Sequence, residues 1–257
     1  MMDITTRDEM TERLADGGGF TGARFAGALD LGELDCSDAV FKDCAFTDLT
    51  VHGTRFSDAR FEGCRFAKAR FASCRLDGAM FETCQFFDAE AKANTVFAFC
   101  DMRNVALVAC NGADLVFDRC DLYGVVGREC SFRGARFKGT SFGKAISKKV
   151  TLTKAAFENC NFSFADFSGV SLRGCELVRC KFSETLFWDA DLSAASLKGS
   201  NIDRAEWDRA RLTGADLTGA NIAGLNLAAV TDYRGLKVSH SQAHELLREI
   251  GVDVEPD

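Results

Sequence analysis

The residues best equipped for chemistry in this sequence are twelve cysteines and three histidines, and their spacing argues against chemistry. Ten of the cysteines, Cys64, Cys84 and Cys180 among them, stand two residues before a large apolar residue. Cys44, Cys64 and Cys84 lie 20 residues apart, as do Cys100 with Cys120 and Cys110 with Cys130. No C-x-x-C pair of the zinc type occurs. His52 falls at an outward position of a repeat, and His240 and His244 lie near the C-terminus. H-E-x-x-H and P-loop patterns are missing. The 38 Asp and Glu read as a solvated face. The expectation is a non-enzyme with no cofactor and no metal, its cysteines serving as small, reduced core residues.

The elements that position these cysteines follow a period of five. Large apolar residues recur from Phe41 through Phe46, Val51, Phe56 and Phe61 to Phe86, again from Phe97 to Phe142, and from Phe157 to Leu227. A small residue usually stands two before each. Five matches neither the 3.6 of a helix nor the 2 of a flat strand, and fixed self-similarity indicates a solenoid. If each unit forms one side of a square coil, the large side chain fills the axis and the small one fits beside it. Four units then close a 20-residue coil, and coils stack at about 4.8 Å, the spacing between strands. Phe41, Phe61 and Phe81 would stack on one side, and Phe46, Phe66 and Phe86 on the next. Each buried aromatic contributes about 1.5–3 kcal/mol. Stacked Cβ atoms about 4.8 Å apart exceed the ~3.8 Å of a disulfide. The fold class expected is all-β.

Among the 257 residues the only proline is Pro256, so no proline-rich linker divides the chain, and an unbroken repeat implies one elongated body. Gly17-Gly18-Gly19 separates the N-terminus from the repeat. Residues 1–16 read either as a short helix with Met10 and Leu14 on one side or as a loose segment, and loose packing is the expectation. The organisation expected is a flexible extension over 1–20, the repeat over 21–231 and a C-terminal capping and dimerisation segment over 232–257. The first residues lack the basic start and apolar stretch of a signal peptide. No run approaches 18 apolar residues. A cytoplasmic protein without a membrane partner is expected.

Function is expected where the rhythm breaks. Phe86 to Phe97 spans eleven residues, so the phase slips by one, and a projecting loop over 88–95 is the simplest remedy. Its candidate partner contacts are Asp88, Glu90, Lys92 and Asn94. Phe142 to Phe157 spans fifteen, which preserves phase; 143–154 reads as a second loop or as three ordinary units with a weak centre at Ser147. Its candidates are Lys144, Ile146, Ser147, Lys148, Lys149, Thr151 and Leu152, with Ile146 as an exposed anchor and Lys149 as a charged contact. After Leu227 the rhythm stops. Ser239 and Gln242 form a capping-box pattern ahead of a helix over 240–249, with Gly251 beyond its end. Ala243, Leu246, Leu247 and Ile250 make an apolar stripe, and Val252 and Val254 alternate after it. The segment reads as both a lid on the last coil and a dimer interface. Residues 156–257 hold 16 acidic against 10 basic residues, a balance of −6; the other 155 hold 22 against 21, a balance of −1. Such an acidic end disfavours direct nucleic-acid binding and favours a basic protein surface.

Ala215-Asp216-Leu217-Thr218-Gly219 and Ala220-Asn221-Ile222-Ala223-Gly224 resemble the pentapeptide-repeat family, and the Qnr group within it resembles this chain more closely. The resemblance rests on Cys84-Gln85-Phe86-Phe87-Asp88-Ala89-Glu90 and on Asn161–Gly169 with Cys175-Glu176-Leu177. It rests also on Gly235-Leu236-Lys237 with Leu246-Leu247 and Ile250-Gly251-Val252. It covers roughly residues 40–257. It implies a right-handed quadrilateral β-helix with two projecting loops and a C-terminal helix, forming a rod-shaped homodimer that imitates B-form DNA. By the same resemblance the rod protects DNA gyrase or topoisomerase IV from quinolones or other poisons, as resistance or as self-immunity in an antibiotic producer. Residues 1–40 extend beyond the usual Qnr start, and the second loop is basic and lacks that group's aromatic residues. The alternative is a repeat scaffold for an unrelated protein partner. B-DNA carries one charge per about 1.7 Å of axis, so a net charge of −7 confines any mimicry to shape and local acidic patches.

Overall fold

The computed structural model describes residues 2–17, 19–27, 29–88, 93–147, 150–249 and 251–252. Within each five-residue unit the large residue and the small one two before it point inward, and the residue two after the large one turns the corner with positive φ. Asp43 (φ 51°), Asp48 (φ 53°) and Asp58 (φ 56°) do so, and Gly63 (φ 61°) takes the same role without the steric cost of a Cβ. Each corner N–H then donates to the coil above, as Asp43 N does to Glu62 O at 2.8 Å. Three polar residues per unit are therefore a consequence of geometry: two face water and one makes the bend.

The coils stack as parallel ladders on four faces. The longest has eight strands, running from Phe20–Thr21 through Val40–Lys42, Arg60–Glu62, Met80–Glu82, Ala106–Val108, Val125–Arg128 and Ala155–Glu158 to Glu176–Val178. Its register aligns Phe41, Phe61 and Phe81, as the 20-residue ladder requires. Their rings stack at 4.9 and 4.7 Å, within 7° of parallel. Phe46, Phe66 and Phe86 stack on the neighbouring face at 5.0 and 4.9 Å. Rings meeting across the axis are edge-to-face, as Phe61 and Phe66 are at 5.7 Å, an arrangement favoured by the aromatic quadrupole.

All twelve cysteines are free and buried. Several of the thiols donate to backbone carbonyls one coil below: Cys64 Sγ lies 3.2 Å from Phe41 O, and Cys84 Sγ 3.2 Å from Phe61 O. Thr185 and Ser200 use the same slot, with hydroxyls 2.8 Å from Phe162 O and Leu177 O. Burial pushes the Cys36 and Cys175 thiols up to about 12, so these are inert packing groups. Two axial positions missing from the five-residue rhythm are glycines. A Cβ on Gly127 would stand 2.5 Å from the Phe157 ring and one on Gly112 3.0 Å from Phe132, so a ring from the next coil occupies each vacated space.

The loose N-terminal extension expected from the sequence is not what forms. Met2–Ile4 adds a parallel strand below Ala23–Phe25, and Arg7–Ala15 folds as helix α1, with Thr6 Oγ1 accepting from Glu9 N at 3.3 Å. Ile4 and Met10 are fully buried and Leu14 packs against the core. This strand and helix close the open end of the first coil, whose apolar centre would otherwise face water. At the other end, helix α2 (His240–Glu249) covers the last coil. The capping box forms: Ser239 N donates to Gln242 Oε1 at 2.6 Å and Gln242 N to Ser239 Oγ at 3.4 Å. The buried Gln242 amide also donates to Leu217 O (2.8 Å) and Ala220 O (2.7 Å), so one side chain ties the helix start to carbonyls that no further coil would satisfy.

Candidate functional site

Both breaks in the rhythm are antiparallel hairpins. Each unit of a coil occupies the next face, so a break between units emerges at a corner. Phe86 and Phe97 flank the first hairpin; Phe142 and Phe157, on the other two faces, flank the second. The hairpins therefore leave diagonally opposite corners of the rod.

In the first, Phe87–Asp88 pairs with Ala93–Asn94. Its stem is fastened to the rod. Asp88 is paired with Arg65 at 3.6 Å and its side chain is only 21% exposed. Asn94 Nδ2 donates to Asp114 O at 2.8 Å, and the buried Thr95 hydroxyl to Phe66 O at 2.9 Å. Asp88 and Asn94, expected as partner contacts, thus spend their polar groups on the scaffold. Glu90 and Lys92 lie outside the described residues.

In the second, Gly143–Ser147 pairs with Val150–Thr153, with an irregularity between Ala145 and Ser147. The reading of three ordinary units is excluded by this antiparallel pairing. Lys154 N donates to Phe142 O at 3.0 Å across the base. Gly143 lets the arms approach closely there, since a Cβ would stand 2.7 Å from the Thr151 methyl and displace it. Ile146 is 55% exposed, Leu152 51% and Val150 48%. The register sets Leu152 opposite Lys144 and Thr151 opposite Ala145, and Lys144 Nζ lies 5.9 Å above the Tyr123 ring. Ser147 ends the first arm, exposed. Lys148 and Lys149 lie outside the described residues. Val150 adds to the apolar tip; the apolar–polar alternation of Val150-Thr151-Leu152-Thr153 was its signal in the sequence.

Two further aromatics were not expected at the surface. Phe164 and Phe99 occupy corners at φ 63° and 55°, a conformation unfavourable for bulky residues, and both are exposed. Arg133 covers Phe164 and Arg119 covers Phe99, each with its guanidinium 4.1 Å from the ring centroid. Phe87, at the base of the first hairpin, and Phe164 border an open cleft of about 320 Å³ whose other walls are Ala113, Asp114, Arg133 and Gly134. A phenylalanine at a corner, where Asp and Gly recur, was the signal available.

The acidic surface is locally compensated. On the face carrying Asp35, Asp101, Asp191 and Asp232, these carboxylates meet Arg55, Arg103, Arg173 and Arg234. Hydrogen bonds from the Arg234 side chain and backbone hold the Asp232 carboxyl well below the usual carboxylate range. Among the described residues no group of three or more His, Cys, Asp or Glu is placed to hold a metal, and no helix is long and apolar enough to cross a membrane.

On α2, Leu246 packs against the core, Ala243 is half-buried and Leu247 is 37% exposed. Gly251 N donates to Arg248 O at 3.0 Å and Val252 N to Leu247 O at 2.9 Å, a Schellman ending that leaves Val252 42% exposed. Leu247 and Val252 thus remain uncovered at the C-terminal end of the rod. Ile250 and Val254 lie outside the described residues.

Comparison with known proteins accords with this geometry. Profiles described as pentapeptide repeats and pentapeptide repeat region match residues 54–90 and 150–227. Both of these stretches carry the pentapeptide repeat. Its structure is similar to a trypsin-treated form of QnrB1, a plasmid-mediated fluoroquinolone resistance protein, with a TM-score of 0.66 and 26% identity over 82% of this chain and 100% of that one. Full-length QnrB1 aligns with a TM-score of 0.61 and 26% identity over 81% of this chain and 100% of that one. HetL, a pentapeptide repeat protein involved in heterocyst differentiation regulation in the cyanobacterium Nostoc, shares the fold at 17% identity (TM-score 0.62, 91% and 95% of the two chains). The search of curated proteins by sequence returned no match.

Proposed function

We propose that this protein is a non-enzymatic, cytoplasmic binder of a type II topoisomerase, DNA gyrase or topoisomerase IV, that protects it from a quinolone or another poison. The observation that carries the reading is the second hairpin. A coil stack alignable with the whole of full-length QnrB1 is broken by an arm that holds Ile146, Val150 and Leu152 in solvent. Exposed apolar side chains on a supported arm are suited to insertion into a partner's pocket, where desolvation concentrates binding energy. The rod offers shape, the hairpin offers anchors, and the uncovered Leu247 and Val252 offer a contact for a second copy, which would double the rod's length.

Electrostatics would assist less than in a true polyanion. With Asp35, Asp101, Asp191 and Asp232 paired to arginines, recognition would rest on shape and apolar contact, and salt should weaken it less than it weakens DNA binding. That same pairing favours the second reading, a scaffold whose partner is not a DNA-binding enzyme. Supercoiling and cleavage assays with purified gyrase and topoisomerase IV, each with and without inhibitor across a titration of this protein, separate the two. Restored supercoiling is expected; no change at any ratio with either enzyme would leave the scaffold reading.

A further inference from the structure

Two of the three histidines sit one helical turn apart at the start of α2, on the side facing solvent. Residues at i and i+4 share a helix face, and here the convergence is close: His240 Nε2 and His244 Nε2 are 3.3 Å apart, with ring centroids at 4.8 Å and planes inclined by 68°. His240 is exposed and His244 half-exposed.

That separation has a specific chemical meaning. Zinc–nitrogen bonds of about 2.0–2.1 Å meeting at the tetrahedral angle place the two nitrogens about 3.3–3.4 Å apart. A right-angled octahedral or square-planar pair at similar bond lengths would need about 2.9 Å. We infer that His240 and His244 form a two-imidazole binding site for a divalent transition-metal ion of the zinc class, held tetrahedrally with water completing its shell. In the empty site one Nε2–H donates to the other Nε2; on binding, that ring takes the tautomer with its proton on Nδ1, so that each neutral imidazole offers the ion an Nε2 lone pair.

The site's position gives the ion something to do. Gln242 lies between the two ligands in sequence and is the side chain that ties α2 to the carbonyls of Leu217 and Ala220. An ion bridging residues 240 and 244 staples the first turn of α2 around that tie and so favours the closed cap. Ligands that bind only the folded form stabilise it by mass action. The buried thiols are poor competitors, since each is enclosed in the coil axis and reaches a metal only on unfolding.

Isothermal titration of the full chain with zinc chloride in a non-chelating buffer tests the site, with amide exchange at Gln242 read with and without zinc. The parent is expected to bind one ion per chain and to slow exchange at Gln242 at least several-fold. His240→Ala and His244→Ala should each weaken binding at least tenfold and remove the exchange effect, while His52→Ala leaves both unchanged. Undiminished binding in the double variant, or no binding by the parent at millimolar zinc, overturns the inference; the second outcome would leave the pair a simple imidazole hydrogen bond.

Discussion

The first hairpin is pinned to the rod by Asp88, Asn94 and Thr95, whereas the second touches the rod mainly at its base and by the Lys144–Tyr123 contact. Among the described residues, one turns Asp88, Asn94 and Thr95 inward to the scaffold; the other leaves three apolar side chains in water. The difference separates two ways in which an insertion can serve a solenoid. A pinned insertion shapes the surface beside it, here by placing Phe87 at the edge of the cleft that Phe164 completes. A free-standing one presents contacts of its own.

Core truncation sets the upper end of the scale for this comparison. Phe61→Ala or Phe66→Ala should destabilise by about 3–5 kcal/mol in denaturant titration, because each ring stacks on a neighbour above and below. Lys68→Ala, at an outward corner, should cost about 0.5 kcal/mol or less. Equal small losses would contradict the five-residue register.

Excising 144–153, which returns Phe142 and Phe157 to the ordinary five-residue spacing, should next leave the melting temperature nearly unchanged while removing most topoisomerase protection. Replacing 88–95 should do the reverse: a smaller loss of protection, with a clear drop in melting temperature from loss of the buried Thr95 hydrogen bond, about 1–3 kcal/mol where its partner carbonyl stays unsatisfied. If the two alterations behave alike, the distinction between pinned and presenting hairpins fails.

Single substitutions sharpen the same contrast. Ile146→Ala and Leu152→Ala should reduce protection without changing the circular dichroism spectrum, whereas Asp88→Ala should affect stability slightly and protection little. Protection unaltered by the first two across a titration would move the function to the rod's faces. Deleting 239–257 should expose the last coil and give monomers in light scattering; a monomeric parent at micromolar concentration would remove the role given to Leu247 and Val252.

The smallest effect expected is that of acid. Asp232 and Asp189 are held below the usual carboxylate range by Arg234 and Arg209. A carboxyl lowered in the folded state stabilises it above the unfolded value and ceases to do so as pH falls through the folded one. Melting temperature should therefore decline gently below about pH 4, the ordinary aspartate range, with little change between neutral pH and that point. These pairs are exposed, so the decline should be shallow; a steep transition would indicate a carboxylate acting within the core.

Much of the architecture was legible because it is written locally and repeated. A large residue every fifth position dictates which side chains reach the axis, and the parallel register of Phe41, Phe61 and Phe81 follows from repetition alone. The helix at His240–Glu249 was likewise visible, since Ser239 and Gln242 carry their capping chemistry within three residues. Tertiary structure decided what depends on distant partners. Met2–Ile4 is a strand only because Ala23–Phe25 offers it an edge, and α1 is ordered because the first coil has an apolar end to cover. Gly112 and Gly127 read as gaps in the rhythm, yet rings 20 and 30 residues later fill them. The cleft between Phe87 and Phe164 joins residues 77 positions apart. Periodicity specifies which way a side chain points; only the stacked coils determine what it meets there.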